Sequence, residues 1–380
     1  GCLQGKLGIV GGGQLARMMY AASVGLGIRV ALLAEGPDSC AAQVVPDVSL
    51  GDCTDPDTVT RFAEQVDVLT FEHEQVPTQI LRQLEHRQVT LRPGPAALEH
   101  AQDKAIMRRR LAGLGIPVPS YQVVADPDQL AGFGEQAGWP CIAKTSRGGY
   151  DGKGVWRLDD PSQAGLPFQG LRDGVQVVAE EYVPFVRELS ALVVRSASGQ
   201  TVAYPVSESV QDDGICVETI TPAPGLGEQQ AQACQRLALR IADELAVVGV
   251  LAVELMQRGD GQVVVNELAM RPHNTGHWSI EGAATSQFEN HLRAVLDWPL
   301  GDPAPIAPYT VMHNVLGGDR RDLVSGLAQV WAHDRGVRVQ VYGKTVVPGR
   351  KVGHVSVTGA DLEEIRGRAR SAAALLRGER

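Results

Sequence analysis

Aromatic residues are scarce in this chain, at 5 %, and no apolar run approaches the roughly 20 residues that a bilayer-spanning helix needs. Both deficits suggest a soluble globular protein. Positive charge is also in short supply: 35 Lys and Arg stand against 44 Asp and Glu, a net charge of −9, which argues against a nucleic-acid footprint because that requires a basic face. The six cysteines, at 2, 40, 53, 141, 216 and 234, form no CxxC pair and have no metal-like spacing. They read as scattered reduced thiols, with neither a disulfide framework nor a zinc site. Gly1 to Gly5 reads as a processed end, not a signal peptide, since strand-like sequence begins at once, so the expected location is the cytoplasm.

What is present is enough chain, 380 residues, for two or three domains with ample core. Lys6 to Val10 is strand-like, Gly11-Gly12-Gly13 a tight turn, Gln14 to Gly25 helical and Ile28 to Leu33 a second strand, a βαβ unit opening a parallel sheet. Val66 to Phe71 gives a later strand. A helix is expected over Ala96 to Leu114, stopped by Gly115, Pro117 and Pro119. Strands near 121–124, 141–144 and 155–158 with a helix near 129–137 make a small α+β module. Further strands follow near 175–182, 188–194 and 201–205, then a helix over 228–245. The last segment shows strands near 310–314 and 337–342, the stretch 344–353, and a closing helix over 362–376. No internal repeat or low-complexity tract interrupts this order.

The most informative pair is Glu254, in the apolar run 250–256, and Glu267. Between them Gln257-Arg258-Gly259-Asp260-Gly261 looks like a hairpin loop, with Asp-Gly its turn signal. A turn centred on Asp260 and Gly261 sets the two carboxylates directly opposite each other. Opposed like charges destabilise a sheet, so a cation is expected between them. Oxygen-only ligands without cysteine suit Mg²⁺ or Mn²⁺, which completes its shell with water and nucleotide phosphates. The bland alternative is a solvated strand face.

Arg147 to Gly154 carries four glycines between two strands, a flap whose backbone N–H groups can close over phosphates. Lys144 before it and Lys104 on the preceding helix would add charge there. Glu180, Glu181, Tyr182 and Val183 end a buried-looking strand, and with Glu188 they could take an adenine edge and ribose hydroxyls; alone they read equally well as surface acids. Gly11-x-Gly13-x-x-Ala16, with Glu35 downstream, fits a dinucleotide fingerprint, but the same glycines suit any phosphate at a helix N-terminus. No NAD is expected, because the rest of the chain holds a different nucleotide apparatus.

Lys104, Lys144, the flap, Glu180 to Val183, Glu188, Glu254 and Asn266-Glu267 fall in the order seen in ATP-grasp enzymes. More closely, Thr70-Phe71-Glu72-His73-Glu74, Gly148 to Gly154, Arg271 to Trp278 and Pro348 to His354 resemble the N5-carboxyaminoimidazole ribonucleotide synthetase family of purine biosynthesis, from about residue 6 to about residue 375. The resemblance implies an α/β and α+β fold of ATP-grasp architecture. Its parts would be an N-terminal Rossmann-like, pre-ATP-grasp parallel-sheet domain over 1–100, an ATP-grasp domain over 101–297 with a small lid at about 115–182, and a small β-rich C-terminal domain over 298–380.

It also implies an ATP-dependent ligase that phosphorylates bicarbonate to carboxyphosphate and carboxylates 5-aminoimidazole ribonucleotide, with ATP and Mg²⁺ but no biotin. Implied ATP contacts are Lys104, Lys144, Gly149, Tyr150, Asp151, Gly152, Lys153, Gly154, Glu180, Glu181, Tyr182, Val183, Glu188, Gln211, Asn266 and Glu267, with Glu254 and Glu267 on the metal. Gln211 stands where some relatives have a His. Arg271, His273 and Asn274 would hold bicarbonate or CO₂ and join Lys351, Tyr150 and Asp151 in the chemistry. Gln14, Leu15, Lys344, Arg350 and Lys351 would take the substrate 5′-phosphate. Glu72, Asn274 and Lys153, with Tyr150 and Asp151, would read its ring or ribose. A homodimer acting on small molecules, without nucleic acid or membrane, is the implied assembly. Rival readings are an ATP-grasp transformylase using formate and glycinamide ribonucleotide, for which an acidic residue is expected at Asn274; a biotin carboxylase, expected to be longer; and a non-catalytic nucleotide-binding module.

Overall fold

A computed structural model describes residues 5–149 and 152–379. Lys6–Val10 (β1), Arg29–Ala34 (β2), Val48–Leu50 (β3) and Val68–Phe71 (β4) form a parallel sheet in the order β3-β2-β1-β4. Their near-continuous apolar runs reflect cover on both faces. Gln14–Val24 (α1) packs on one side through Leu15, Ala16, Met18 and Met19, and Pro56–Ala63 (α2) with Thr78–His86 (α3) packs on the other.

Pro95–Gln102 (α4) and Lys104–Gly113 (α5) replace the single helix expected over 96–114. Asp103 between them is extended, φ −128° and ψ 111°, and its carboxylate accepts from the N–H groups of Ala105 and Ile106. Those are donors that a continuous helix would have satisfied itself, so the capping Asp starts a second helix. The break lets the Lys104 N–H reach the Ser146 carbonyl, 2.9 Å away, at the foot of the glycine-rich loop.

Tyr121–Val124 (β5), Cys141–Thr145 (β6), Val155–Leu158 (β7) and Val177–Glu181 (β8) form an antiparallel sheet, order β5-β8-β6-β7, packed against Pro127–Ala137 (α6). The third sheet has nine strands: Phe185–Arg195 (β9), Thr201–Ala203 (β10), Ser207–Asp212 (β11), Ile215–Thr221 (β12), Gly249–Arg258 (β13), Val263–Ala269 (β14), Tyr309–Leu316 (β15), Arg338–Val341 (β16) and Lys351–Gly359 (β17). Its order is β14-β13-β9-β11-β12-β15-β17-β16, with β10 on β9. Because β12 pairs with β15, the C-terminal strands extend the central sheet and do not found one of their own.

Glu228–Glu244 (α7) covers one face of β9 and β13; Ser279–Gly282 (α8) and Gln287–Val295 (α9) lie over the other. Val324–His333 (α10) and Leu362–Arg377 (α11) close a C-terminal cluster around Val311, Val355 and Leu376. Helix α9 also joins the N-terminal core, burying Phe288, Leu292 and Val295 against α1 and β1, each contributing about 1.5–3 kcal/mol. Its His291 bridges the two sheets, with Nε2 2.8 Å from Thr70 Oγ1 and Nδ1 accepting the Val250 N–H at 3.0 Å. Burial pushes that imidazole down to about 3, so it stays neutral. The five described cysteines are free and buried.

Candidate active site

Strands β13 and β14 bring Glu254 opposite Glu267, as the sequence suggested, but by a different route. The loop holds three residues, 259–261: the Arg258 N–H meets the Gln262 carbonyl at 2.7 Å, and Gly261 is left-handed at φ +87°, a conformation that favours glycine. The expected turn is therefore off by one residue. From it the ladder pairs Gln257 with Val263, Met256 with Val264 and Leu255 with Val265, which would put Asn266 opposite Glu254. A β-bulge absorbs Asn266 and restores the carboxylate pair. A bulge also breaks the alternation of side chains, so Asn266 and Glu267 can serve one site. The Asn266 Oδ1 accepts from Lys144 Nζ at 2.9 Å, and Lys104 Nζ lies 3.5 Å from Glu267 Oε1.

Lys144 is nearly buried and also pairs with Glu180 at 3.0 Å, whose other oxygen takes Arg108 Nε at 2.9 Å. Burial alone would raise the Glu180 carboxyl; Lys144 and Arg108 hold it down to about 2. That carboxylate is committed to two cations, which corrects the reading of it as a free acceptor for ribose or adenine. Glu188, on β9, is the opposite case: burial and the negative charges of Glu254 and Glu267 push it up to about 7.

Burial raises the Glu254 carboxyl, but His273, Arg271 and Lys144 outweigh it and hold its pKa below the ordinary value. Three clustered carboxylates, Glu188, Glu254 and Glu267, with oxygen donors only, fit a hard divalent ion. No set of three His, Cys, Asp or Glu able to hold a metal unaided exists among the described residues, so such an ion would need oxygens from a nucleotide or water.

The segment after β14 folds back onto this pair. His273 Nε2 lies 3.4 Å from Glu254 Oε1, and its Nδ1 lies 2.7 Å from Thr275 Oγ1, which in turn meets Ser190 Oγ at 2.7 Å. Gln287, fully buried, grips the same residue by its main chain, accepting the His273 N–H at 2.9 Å and donating to the His273 carbonyl at 2.7 Å. Arg271 Nε sits 3.0 Å from Glu74 Oε1, beyond the end of β4. Burial works against the Arg271 charge, but Glu74, then Glu72 and Glu254, outweigh it and hold its pKa above the ordinary value. The Asn274 Nδ2 is buried without a hydrogen-bond partner among the described residues.

At the N-terminal turn the glycines admit a carboxylate of the chain itself. Glu72 Oε1 accepts the Gly13 N–H at 3.1 Å, and a β-carbon at Gly11, φ +110°, would stand 2.2 Å from Glu72 Cγ. Gln14 and Leu15 open the helix beside it. The loop after β16 docks here, with the Gly343 carbonyl taking Gln43 Nε2 at 2.8 Å. Lys344 is half-buried; burial lowers its pKa, as do Arg350 and Lys351, which marks the three as one cationic cluster facing Glu72 and Cys40.

Other expected residues lie at the margins. Glu181 takes the Ser120 N–H and Arg258 Nη2, Arg157 stacks 5.0 Å above the exposed Tyr182 ring, and Val183 is buried. Gln211 is exposed on β11, in the hairpin whose Gly214 approaches Gly152 of the flap. Gly149 and Gly154 meet at the base of the flap, and Lys153 is on its far arm. Tyr150 and Asp151 lie outside the described residues.

Arg108 and Gln287 were not anticipated, and Glu74 was singled out only as part of the Thr70 to Glu74 motif, without its Arg271 partner. Arg108 was legible in principle, since it shares the buried stripe of α5 with Ala105 and Leu111.

Two antiparallel sheets facing each other across Lys144 and the glutamate pair, behind a parallel-sheet domain, are the architecture of an ATP-grasp protein. Family models agree, with an ATP-grasp domain over 109–288, a ribonucleotide synthetase preATP-grasp domain over 5–102 and a phosphoribosylaminoimidazole carboxylase C-terminal domain over 310–368. The N5-carboxyaminoimidazole ribonucleotide synthase of Mycobacterium tuberculosis is 51 % identical, covering 96 % of this chain and 86 % of the relative. The crystal structure of the synthetase from Thermus thermophilus superposes with a TM-score of 0.86 at 38 % identity, covering 98 % of this chain and 99 % of that one. The Aspergillus clavatus synthase, in complex with ADP and 5-aminoimidazole ribonucleotide, gives 0.89 at 30 % identity, covering 98 % of each chain. The chain belongs to the N5-carboxyaminoimidazole ribonucleotide synthase family.

Proposed function

We propose that this chain carboxylates 5-aminoimidazole ribonucleotide with bicarbonate at the expense of ATP, yielding N5-carboxyaminoimidazole ribonucleotide, ADP and phosphate in purine biosynthesis. The observation that carries the reading is the 3.4 Å approach of His273 to Glu254, which joins an Arg-His-Asn anion pocket to the opposed carboxylates of a phosphoryl-transfer site.

Lys104, Lys144 and the flap hold the ATP phosphates, the backbone of Glu180 to Val183 takes the adenine edge, and Glu188 the ribose, with Gln211 nearby. Glu254 and Glu267 would hold Mg²⁺, or Mn²⁺, beside Asn266; when bound, such an ion would offset the negative charge of the transferring phosphoryl group. Arg271 and Asn274 hold bicarbonate, one of whose oxygens attacks the γ-phosphorus. The bond from that phosphorus to the β–γ bridging oxygen breaks, and ADP leaves. The amine nitrogen then bonds to the carbon of carboxyphosphate, or of the CO₂ it releases, as phosphate departs, and His273 moves the amine proton. Lys344, Arg350 and Lys351, with the N–H groups of Gln14 and Leu15, take the substrate 5′-phosphate; Arg offers it bidentate contact. Glu72 and Lys153, with Tyr150 and Asp151 of the flap, read the ring or ribose. A cytoplasmic homodimer is part of the proposal, and sedimentation at working concentration tests the dimer.

The deciding experiment measures ADP release from Mg·ATP and bicarbonate with and without 5-aminoimidazole ribonucleotide, beside glycinamide ribonucleotide with formate. Stimulation by the aminoimidazole compound that disappears without bicarbonate is expected. Stimulation by the glycinamide pair alone transfers the site to the transformylase reading.

A further inference from the structure

The carboxylate of Glu74 makes an ion pair between parts of the chain nearly two hundred residues apart. Arg271 Nε lies 3.0 Å from its Oε1 and 3.1 Å from its Oε2, and both side chains are largely shielded from solvent. Arg271 Nη1 donates to its own Pro272 carbonyl at 3.2 Å, and Nη2 has no partner among the described residues. Two edges of the guanidinium are thus fixed by the protein and one is left to donate. A planar fork pinned in this way keeps one orientation, which suits recognition of a planar trigonal anion such as bicarbonate.

The carrier of Glu74 is stiff and is tied to the other substrate region. The Glu72 N–H continues the ladder to the Val10 carbonyl at 3.0 Å, Glu72 Oε1 holds the Gly13 N–H, and the Gln75 N–H closes onto His73 Nδ1 at 3.1 Å. One short loop therefore meets the first turn of α1 through Glu72 and the guanidinium of Arg271 through Glu74.

Resting on the proposed function, we infer that Glu74 is a positioning residue that aims Arg271 at bicarbonate and, through its loop, makes that aim depend on the aminoribonucleotide region. Glu74 touches no reacting atom; it acts through Arg271.

The test compares the wild type, Glu74→Gln, Glu74→Asp, Arg271→Ala and the Glu74→Gln/Arg271→Ala double variant. For each, KM for bicarbonate and for ATP, kcat, thermal melting and the stimulation of ADP release by 5-aminoimidazole ribonucleotide are measured. Glu74→Gln is expected to raise KM for bicarbonate about 10- to 100-fold, as loss of an orienting partner does, while KM for ATP stays within about 2-fold. Its stimulation by the ribonucleotide should shrink, and Glu74→Asp should recover part of both. In the Arg271→Ala background the Glu74 substitution should add less than about 2-fold, because neighbours acting as a unit are not additive.

An unchanged KM for bicarbonate overturns the inference. So does a parallel rise in both KM values with a lowered melting temperature, or a full added effect in the double variant. A wild type with no bicarbonate-dependent, ribonucleotide-stimulated ADP release overturns the functional reading itself, and this inference with it; that outcome is visible before any variant is made.

Discussion

Glu180 and Glu188 stand on successive strands at the same cleft and are both shielded from water, yet one is held down to about 2 and the other pushed up to about 7. The difference lies in their neighbours. Glu180 faces Lys144 and Arg108; Glu188 faces Glu254 and Glu267. A buried acid whose countercharge is supplied by the chain is framework, whereas an acidic group whose countercharge is missing awaits a ligand that brings it.

The comparison can be attacked first at its framework end. Glu180→Gln leaves Arg108 buried against a neutral amide and should cost about 3–5 kcal/mol in a urea titration, with little soluble enzyme at the upper end. Because the Glu180 pKa is depressed, its stabilisation is complete above the ordinary 4.5 and is lost as pH falls through about 2; the variant should lack that acid-dependent loss. At the ligand end, Glu254→Gln should do the reverse: stability within about 1 kcal/mol of wild type, and ADP formation reduced by about 10²-fold.

The same Glu254→Gln variant sharpens the electrostatic half. By NMR, Glu188 should titrate near 7 in the wild type without nucleotide and move back toward 4.5 when one neighbouring charge is removed. Since this pKa is raised, the stability Glu188 gives is complete below 4.5 and is lost as pH rises through about 7; the corresponding fall in melting temperature should be smaller in the variant. The smallest effect belongs to Lys104→Met, whose pair with Glu267 is 3.5 Å long and partly exposed. Stability should change by less than about 1 kcal/mol, while KM for ATP rises measurably.

The family, the three-part architecture and the opposition of Glu254 and Glu267 were legible because they depend on local order: glycine runs, an Asp-Gly turn, and polar motifs at fixed spacing. The limits of local reading show at the same residues. The turn lies one residue away from its expected place, and only the bulge at Asn266 makes the pair come out right. The break at Asp103 was invisible to helical periodicity, because a capping side chain decided it. Glu180 read as a free strand-end acid because its partner Arg108 sits within a run of three arginines, where burial of one is set by helix phase. Glu74 with Arg271, and Gln287 with His273, are tertiary pairings with no local signature at all.

Asn266 is also a removable part. Excising it would leave every other pairing of β13 with β14 in place, Glu254 with Glu267 included, and would convert the hairpin into an uninterrupted ladder. The shortened chain should be the better-formed hairpin, keeping both carboxylates but missing the amide that receives Lys144. A single-codon deletion thus offers a way to separate the part of this hairpin that serves folding from the part that serves the cleft.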